Sequence, residues 1–244
     1  MPGKFFCGTS GYAYYHWVGK FYPQDLPREK WLEYYAQYFN TVEINYTFYH
    51  MPRESTVEKW RRQCPENFLM VLKASRLITH YYKKNLESAS FLLGKFLKLA
   101  DILGEHRGPV LMQFPPSFAD HAVLDKFLSR IKPEHRVAME FRNKQFLEDE
   151  AVREKLAAHN VAFCVYSWPR FGPVFAVTAD FVYIRFHGAK RLYASSYSRE
   201  ELEPFADFAR AQLAEGRDVF AFFNNDAEGY AVDNALTFRE MVEG

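Results

Sequence analysis

Pairs of polar side chains, two residues apart, close several apolar stretches of this sequence. Glu140 and Arg142 end RVAMEFRN, and Arg185 and His187 end FVYIRFHG. Carboxylates, guanidinium groups and imidazoles are the groups that proteins use for acid–base catalysis and for binding anions. An apolar run bounded by turn residues predicts a strand, and side chains two residues apart on a strand share one face. Each pair is therefore expected to point the same way from the end of its strand.

Apolar stretches of this kind recur along the chain and alternate with helical patterns. We predict strands at residues 4–9, 41–46, 68–73, 110–114, 137–141, 161–166, 181–186 and 219–223. Helices are predicted at residues 29–39, 54–64, 86–103, 122–131, 148–159, 199–214 and 227–242. Near-continuously hydrophobic strands are typical of parallel strands buried on both faces. Eight strands alternating with helical segments favour a (β/α)8 TIM-type barrel.

The segment between the sixth and seventh strands departs from this pattern. It reads SWPRFGPVFAVTAD, with two prolines and a glycine where a regular unit places a helix. We therefore expect the sixth crossover helix to be missing or degenerate. An open, doubly wound α/β sheet is the structural alternative. It is disfavoured because GTSGY, after the first strand, lacks the GxGxxG spacing of a phosphate-binding turn.

Length and composition limit the classes of protein to consider. The 244 residues suit one barrel domain spanning residues 1–244. The formal net charge of +1 argues against broad electrostatic capture of nucleic acid or membrane. No apolar run is long enough to cross a bilayer and the amino terminus does not read as a secretory signal, which predicts a cytoplasmic protein without membrane contact. Three widely spaced cysteines fit reduced thiols. We expect no cofactor.

The carboxyl ends of the strands are where barrels of this type place their active sites. Among the residues at these ends and on the loops that follow, we predict Glu43, Glu140 and His187 as catalytic. The predicted ligand-binding residues are Ser10, Tyr12, Trp17, Asn45, Lys73, Gln113, Arg142, Arg185, Asn224 and Asn225. The apolar residues between the polar pairs, such as Phe141 and Phe186, should then face the helices.

Several of these stretches also match a known family. They are GTSGY with the downstream Trp17 and FYP, TVEINYTFY, LITH, LMQFPPSF, MEFRN, YIRFHG and FFNND. In this order the sequence resembles the domain-of-unknown-function 72 family, the YecE-like proteins, from the first strand to the last helix. The resemblance implies a (β/α) barrel and supplies no reaction. The family pattern tends to end the sixth strand in an aspartate, whereas this sequence has Tyr166 there, so we assume no carboxylate role at that position.

Two interpretations of Glu43 and Glu140 follow from their positions on the second and fifth strands. A pair of carboxylates across a barrel mouth suits general acid–base catalysis, including glycoside hydrolysis. The alternative is that each glutamate is the ion-pair partner of an inward arginine, because buried charges have to be paired. Arg142 and Arg185 are available for that role.

The excess of cations at the strand ends indicates the class of ligand. Lys73, Arg142 and Arg185 favour a small anionic, phosphorylated or sugar-containing substrate, and they oppose a divalent metal. One hypothesis is therefore an enzyme, such as a hydrolase, lyase or isomerase, acting on that substrate. The alternative is a nucleotide- or nucleic-acid-binding module in which the same cations and nearby aromatic rings bind without turnover.

Overall fold

Eight parallel strands form the centre of the structure, a computed structural model that describes residues 1–244. Their order in the sheet is β1-β8-β7-β6-β5-β4-β3-β2, so the sheet curls into a nearly closed barrel. The predicted (β/α)8 barrel is confirmed. The strands are β1 Phe5–Thr9, β2 Thr41–Ile44, β3 Leu69–Lys73, β4 Arg107–Phe114, β5 Val137–Phe141, β6 Ala162–Ser167, β7 Phe181–Phe186 and β8 Asp218–Phe223.

Helices pack around the strands. They are α1 Trp31–Tyr35, α2 Tyr46–Tyr49, α3 Glu54–Gln63, α4 Arg76–Thr79, α5 Leu86–Asp101, α6 His121–Leu128, α7 Lys144–Glu148, α8 Glu150–Ala158, α9 Arg199–Ala214 and α10 Tyr230–Glu243. Short 3-10 turns occur at Tyr15–Trp17, Arg28–Lys30, Gly104–His106 and Ala227–Gly229. No helix separates β6 from β7, as predicted for the sixth crossover. None of the helices has both the length and the apolar character that a membrane span requires.

Local polar groups explain where the elements differ from the predicted ones. The second strand ends at Ile44, because Asn45 has a helical backbone conformation and begins α2. The helix predicted at 148–159 is preceded by a separate helix, α7. Asn143 caps α7 by accepting from the Phe146 amide at 3.3 Å, and Asp149 caps α8 by accepting from the Ala151 amide at 2.9 Å. Two N-cap side chains thus begin two helices in quick succession.

The seam between β1 and β2 is closed mainly by side chains. The Cys7 amide donates to Asn40 Oδ1 at 3.0 Å, and Asn40 Nδ2 donates to the Phe5 carbonyl at 2.8 Å. The Thr9 amide donates to the hydroxyl of Tyr35 at 2.8 Å. These bonds satisfy buried backbone groups that would otherwise need a ladder partner.

A glycine allows the two strands to approach at this seam. A Cβ atom at Gly8 would lie 2.1 Å from the Thr41 carbonyl oxygen, so any larger residue would push β1 away from β2. The single backbone bridge across the seam joins Ser10 to Glu43. The close approach therefore brings a predicted catalytic residue next to the end of β1.

The alternation of side chains along β5 and β7 separates an apolar outer face from a polar inner one. Phe141 packs against Phe146 of α7, with ring centroids 5.6 Å apart. Phe186 packs against Phe205 of α9 and Phe238 of α10, with centroids 5.0 Å apart in both cases. The expected outward orientation of these residues is confirmed. Their polar neighbours in sequence consequently point into the barrel.

Candidate active site at the carboxyl ends of the strands

The charged and imidazole side chains at the carboxyl ends of the strands form what we call the polar layer, which consists of Glu43, Lys73, Glu140, Arg142, Arg185 and His187. Arg185 lies at its centre, and both of its terminal nitrogens donate to carboxylates. Nη2 donates to Glu43 Oε1 at 2.5 Å, and Nη1 donates to Glu140 Oε2 at 2.7 Å. All three side chains are fully buried. Burial alone would lower the pKa of Arg185, but Glu43 and Glu140 outweigh that effect and raise it well above its ordinary value. Both glutamates are therefore ion-pair partners of one arginine, in line with the second interpretation given above.

Glu43 is surrounded by donors on both of its oxygens. Besides Arg185, Ser10 Oγ donates to Oε1 at 2.8 Å, and the Tyr183 hydroxyl donates to Oε2 at 2.7 Å. Burial, followed by the nearby Glu43 charge, raises the pKa of Tyr183 well above its ordinary value. The sequence prediction missed Tyr183. Its position two residues before Arg185 on β7 was the available signal, because it places both side chains on the inner face.

Glu140 carries a carboxylate that is stabilised in its ionised form. It forms an ion pair with Arg142, and His187 Nε2 lies 3.2 Å from Oε2. Burial alone would raise the pKa of Glu140, but Arg142, Arg185 and His187 outweigh burial and hold the pKa well below its usual value. Glu140 is consequently an anion at neutral pH and a poor proton donor.

His187 contacts partners of opposite hydrogen-bonding character. Its Nε2 lies 2.8 Å from Arg142 Nη2, which can only donate, and near Glu140, which can only accept. Its Nδ1 lies 3.2 Å from the side-chain amide of Asn224. The position of the ring proton therefore depends on whether Nε2 accepts from Arg142 or donates to Glu140. Burial and the Arg142 charge lower the pKa of His187 to about 3, so the ring is neutral at pH 7.

Arg142 has one terminal nitrogen in use and one without a partner. Its Nη1 is buried and makes no hydrogen bond. The guanidinium carbon lies 3.7 Å from the centroid of the Trp168 ring and 4.8 Å from that of Tyr166. The Tyr166 hydroxyl donates to the Phe141 carbonyl at 2.7 Å. Tyr166 is thus anchored through its hydroxyl, and its ring packs against the arginine.

Lys73, the last residue of β3, is a cation without a counter-ion. Its side chain is buried and makes neither a hydrogen bond nor an ion pair. Its ammonium group lies 4.4 Å from the centroid of the Phe48 ring. Burial and the Arg185 charge lower the pKa of Lys73 to about 8, although Glu43 and Glu140 act in the opposite direction.

A second carboxyl site lies beyond β8. Trp17 is fully buried and donates from Nε1 to Asp226 Oδ1 at 2.7 Å, while His16 Nε2 lies 3.1 Å from Oδ2. Burial raises the pKa of Asp226 to about 6, although His16 and Trp17 act in the opposite direction. Trp17 is among the predicted ligand-binding residues, and the structure places its ring in the core, where it donates to Asp226.

Other predicted ligand-binding residues make mainly internal contacts. Asn225 is fully buried and donates to the Ser195 carbonyl at 3.0 Å and to Asn234 Oδ1 at 2.8 Å. Asn45 donates to the Ser10 carbonyl at 3.3 Å, and its buried Oδ1 has no partner. Asn225 therefore connects the loop after β7 to α10, and Asn45 connects β1 to α2.

Tyr12 and Gln113 also make internal contacts. The Tyr12 ring packs 6.0 Å from that of Tyr35. Gln113 pairs in register with Glu140 and donates to the Phe114 carbonyl at 3.3 Å. No three His, Cys, Asp or Glu side chains are grouped so that they could hold a metal ion.

A cavity at the opposite end of the barrel does not contribute to this layer. Its volume is about 250 Å³, and its walls include Arg107, His135 and Arg136, which lie at or before the amino ends of their strands. Active sites of these barrels lie at the other end. The polar layer is therefore the better candidate, although its side chains are closely packed.

This chain is similar in sequence to known proteins. The UPF0759 protein YunF of Bacillus subtilis is 24% identical over 253 residues, covering 91% of this chain and 90% of YunF. The UPF0759 protein YecE of Escherichia coli K12 is 32% identical over 117 residues, which are 47% of this chain and 42% of YecE.

Solved structures show the same architecture. The crystal structure of a DUF72 family protein from Thermotoga maritima superimposes with a TM-score of 0.88 at 29% identity, covering 99% of this chain and 100% of that one. Residues 6–244 match the family described as "Protein of unknown function DUF72", and the chain belongs to this family.

Proposed function

We propose that this protein is an enzyme that binds a small anionic substrate, phosphorylated or sugar-containing, at the carboxyl ends of the strands and acts on it by acid–base chemistry. The observation that carries the proposal is the buried Arg142 Nη1, which has no acceptor. Leaving such a donor unpaired costs roughly 1–3 kcal/mol or more. An anionic oxygen of a substrate would supply the missing acceptor, and the planar guanidinium suits phosphate or carboxylate.

The charge balance of the layer supports an anion. Arg185, Arg142 and Lys73 face the two carboxylates Glu43 and Glu140, while His187 is neutral at pH 7. Three cations against two anions leave one positive charge when Lys73 is protonated. Because charges in a poorly solvated site interact strongly, this excess attracts an anion.

Proton transfer requires a group that titrates near neutral pH. In the proposal, Glu43 and Glu140 act as acid or base only when the substrate competes with Arg185 for their oxygens, and neutral His187 relays protons. Asp226, with a pKa of about 6, is the carboxyl that better meets the requirement. We therefore add Asp226 to the proposed acid–base residues.

The anion site is tested by calorimetric titration of inorganic phosphate and of sugar phosphates into the wild-type protein and two variants. Arg142→Gln should weaken binding by about tenfold or more, because a charged hydrogen bond contributes roughly 1.5–3 kcal/mol. Arg170→Gln is the matched control, since Arg170 is exposed on the neighbouring loop after β6. Equal affinity of wild type and Arg142→Gln would refute the assignment.

The enzyme hypothesis is tested separately by screening pooled phosphoesters and glycosides for turnover. For any compound that is turned over, Asp226→Asn and Glu140→Gln should reduce the rate while phosphate still binds. An unaltered rate in both variants would refute the assignment of Asp226 and Glu140 as acid–base residues.

An exposed group of rings and cations favours nucleic-acid binding as a second candidate function. We call Tyr49, Arg76, Tyr81 and Lys84 the rim patch. The Arg76 guanidinium lies 5.7 Å from the Tyr49 ring centroid and 6.0 Å from that of Tyr81, and Lys84 lies 5.3 Å from Tyr81. Exposed rings beside cations can stack bases of single strands. The affinity for an oligonucleotide should then fall steeply with salt, and a flat response would exclude this candidate.

A further inference from the structure

We propose that Lys73 is a nucleophile that forms an imine with a carbonyl group of the substrate. This inference rests on the proposed function, because Arg142 would hold the anionic group of the substrate while Lys73 reacts with its carbonyl carbon. It narrows the substrate class to small anionic aldehydes or ketones.

Lys73 is the one charged residue of the layer that has no ion-pair partner. Arg142 and Arg185 form ion pairs with Glu140, and Arg185 also pairs with Glu43. Lys73 makes no ion pair and no hydrogen bond, and its ammonium group contacts the Phe48 ring. Lys73 is 9% exposed, whereas Arg185 is fully buried and Arg142 is 7% exposed, so Lys73 is the most accessible cation of the layer. Its nitrogen is thus held in place without being engaged by an anion.

The surroundings enlarge the fraction of Lys73 that is the neutral amine, which is the nucleophilic form. A buried lysine next to a second cation is the environment in which proteins activate this side chain. With a pKa of about 8, the neutral fraction of Lys73 at pH 7.5 exceeds that of an ordinary lysine on the order of 100-fold. Arg185 and Arg142 cannot lose their protons in this way.

The chemistry is balanced without an added oxidant or reductant. The lone pair of Nζ forms a bond to the carbonyl carbon, and a proton passes from nitrogen to the carbonyl oxygen to give a carbinolamine. Uptake of a proton and loss of water then break the carbon–oxygen bond and leave a protonated imine. The imine withdraws electrons from the neighbouring carbon, which assists removal of a proton from that carbon or cleavage of its bond.

Borohydride trapping tests this step directly. The full-length protein is incubated at pH 7.5 with glyoxylate or with dihydroxyacetone phosphate, reduced with sodium borohydride, digested and analysed by mass spectrometry. The reduced adduct on Lys73 should exceed that on the exposed Lys83 and Lys84 by at least tenfold. Lys73→Arg keeps the positive charge but cannot form the imine, so it should lose this adduct.

A second measurement does not depend on the choice of carbonyl compound. The rate at which acetic anhydride labels Lys73 should rise with a midpoint near pH 8. A midpoint near the ordinary lysine value of about 10.4, or adducts spread evenly over Lys73, Lys83 and Lys84, would overturn the inference. If phosphate binding still depends on Arg142 in that case, the imine proposal is refuted and the proposed anion site stands. If the Lys73 adduct forms equally well in Arg142→Gln, the imine stands and the anion site fails.

Discussion

Arg185 holds the polar layer together because it is the one cation that forms ion pairs with both Glu43 and Glu140. Both terminal nitrogens of Arg185 already donate to these glutamates, so neither can bind a ligand without giving up an ion pair. A ligand would therefore meet Arg142 and Lys73 before Arg185. The layer therefore consists of a central arginine, whose two terminal nitrogens are occupied and whose Nε has no partner, and two neighbouring cations that retain bonding capacity.

Replacing Arg185 tests that centre. Arg185→Met leaves two buried carboxylates without their shared partner, and we expect it to lower the free energy of unfolding by about 3–5 kcal/mol, measured by urea denaturation. The triple variant Arg185→Met, Glu43→Gln and Glu140→Gln removes the uncompensated charges and should recover part of the loss. If the triple variant were less stable than Arg185→Met, repulsion between unpaired charges would not be the cause.

The alternation of side chains along each strand made it possible to predict which residues face the inside of the barrel. It did not predict which of these residues form ion pairs with one another. The period of two residues in a strand is enough to place Arg185 and His187 on one face. The contact between Arg185 and Glu43 joins residues 142 positions apart, and it depends on strand register and barrel curvature. The same limit explains why the unpaired state of Arg142 Nη1 could not be predicted.

At the scale of elements, the barrel is least regular at two places. The β1–β2 seam is closed by the side chains of Asn40 and Tyr35 in place of a backbone ladder, and β6 is connected to β7 without a helix. The prolines and glycine predicted the second irregularity. The first was not predicted, because an asparagine before a strand has the same local sequence signature as an ordinary turn.

Asn40→Ala should destabilise the seam. The change leaves the Cys7 amide and the Phe5 carbonyl without their partner, and we expect a loss of about 1–3 kcal/mol in the free energy of unfolding. Amide hydrogen exchange at Cys7 should accelerate more than exchange in β5. Gln37→Ala is the control, since Gln37 is exposed and its side chain makes no hydrogen bond. Equal exchange at Cys7 in Asn40→Ala and wild type would contradict the account.

The polar layer makes the stability of the whole protein depend on pH. The folded-state pKa of His187 is about 3, below its ordinary value near 6.5, and burial, Lys73 and Arg76 lower that of His80 to about 4. As the pH falls below about 6.5, the unfolded chain takes up protons that the folded chain does not. Glu140 acts in the same direction at lower pH, since its folded-state pKa is also lowered. The raised pKa of Asp226, about 6, acts in the opposite direction, but the two histidines and Glu140 outweigh it, so stability should decrease as the pH falls.

His187→Gln isolates the largest of these effects in the range of histidine titration. Between pH 7 and pH 5 the wild-type protein should lose on the order of 2 kcal/mol more stability than the variant, because each unit between the two pKa values corresponds to about 1.4 kcal/mol. Urea denaturation at the two pH values measures the difference. The same loss in both proteins would show that His187 is not held neutral by the fold.

Arg142 Nη1 is a buried donor without an acceptor, and in the proposed function an anionic oxygen of the ligand accepts from it. The most direct measurement is anomalous diffraction from crystals soaked in selenate, a tetrahedral dianion whose selenium can be located without bias. We expect a selenium peak at the carboxyl ends of the strands, about 4 Å from Arg142 Nη1, and no such peak in Arg142→Gln. Peaks found only beside exposed lysines and arginines, with none at Arg142, would contradict it.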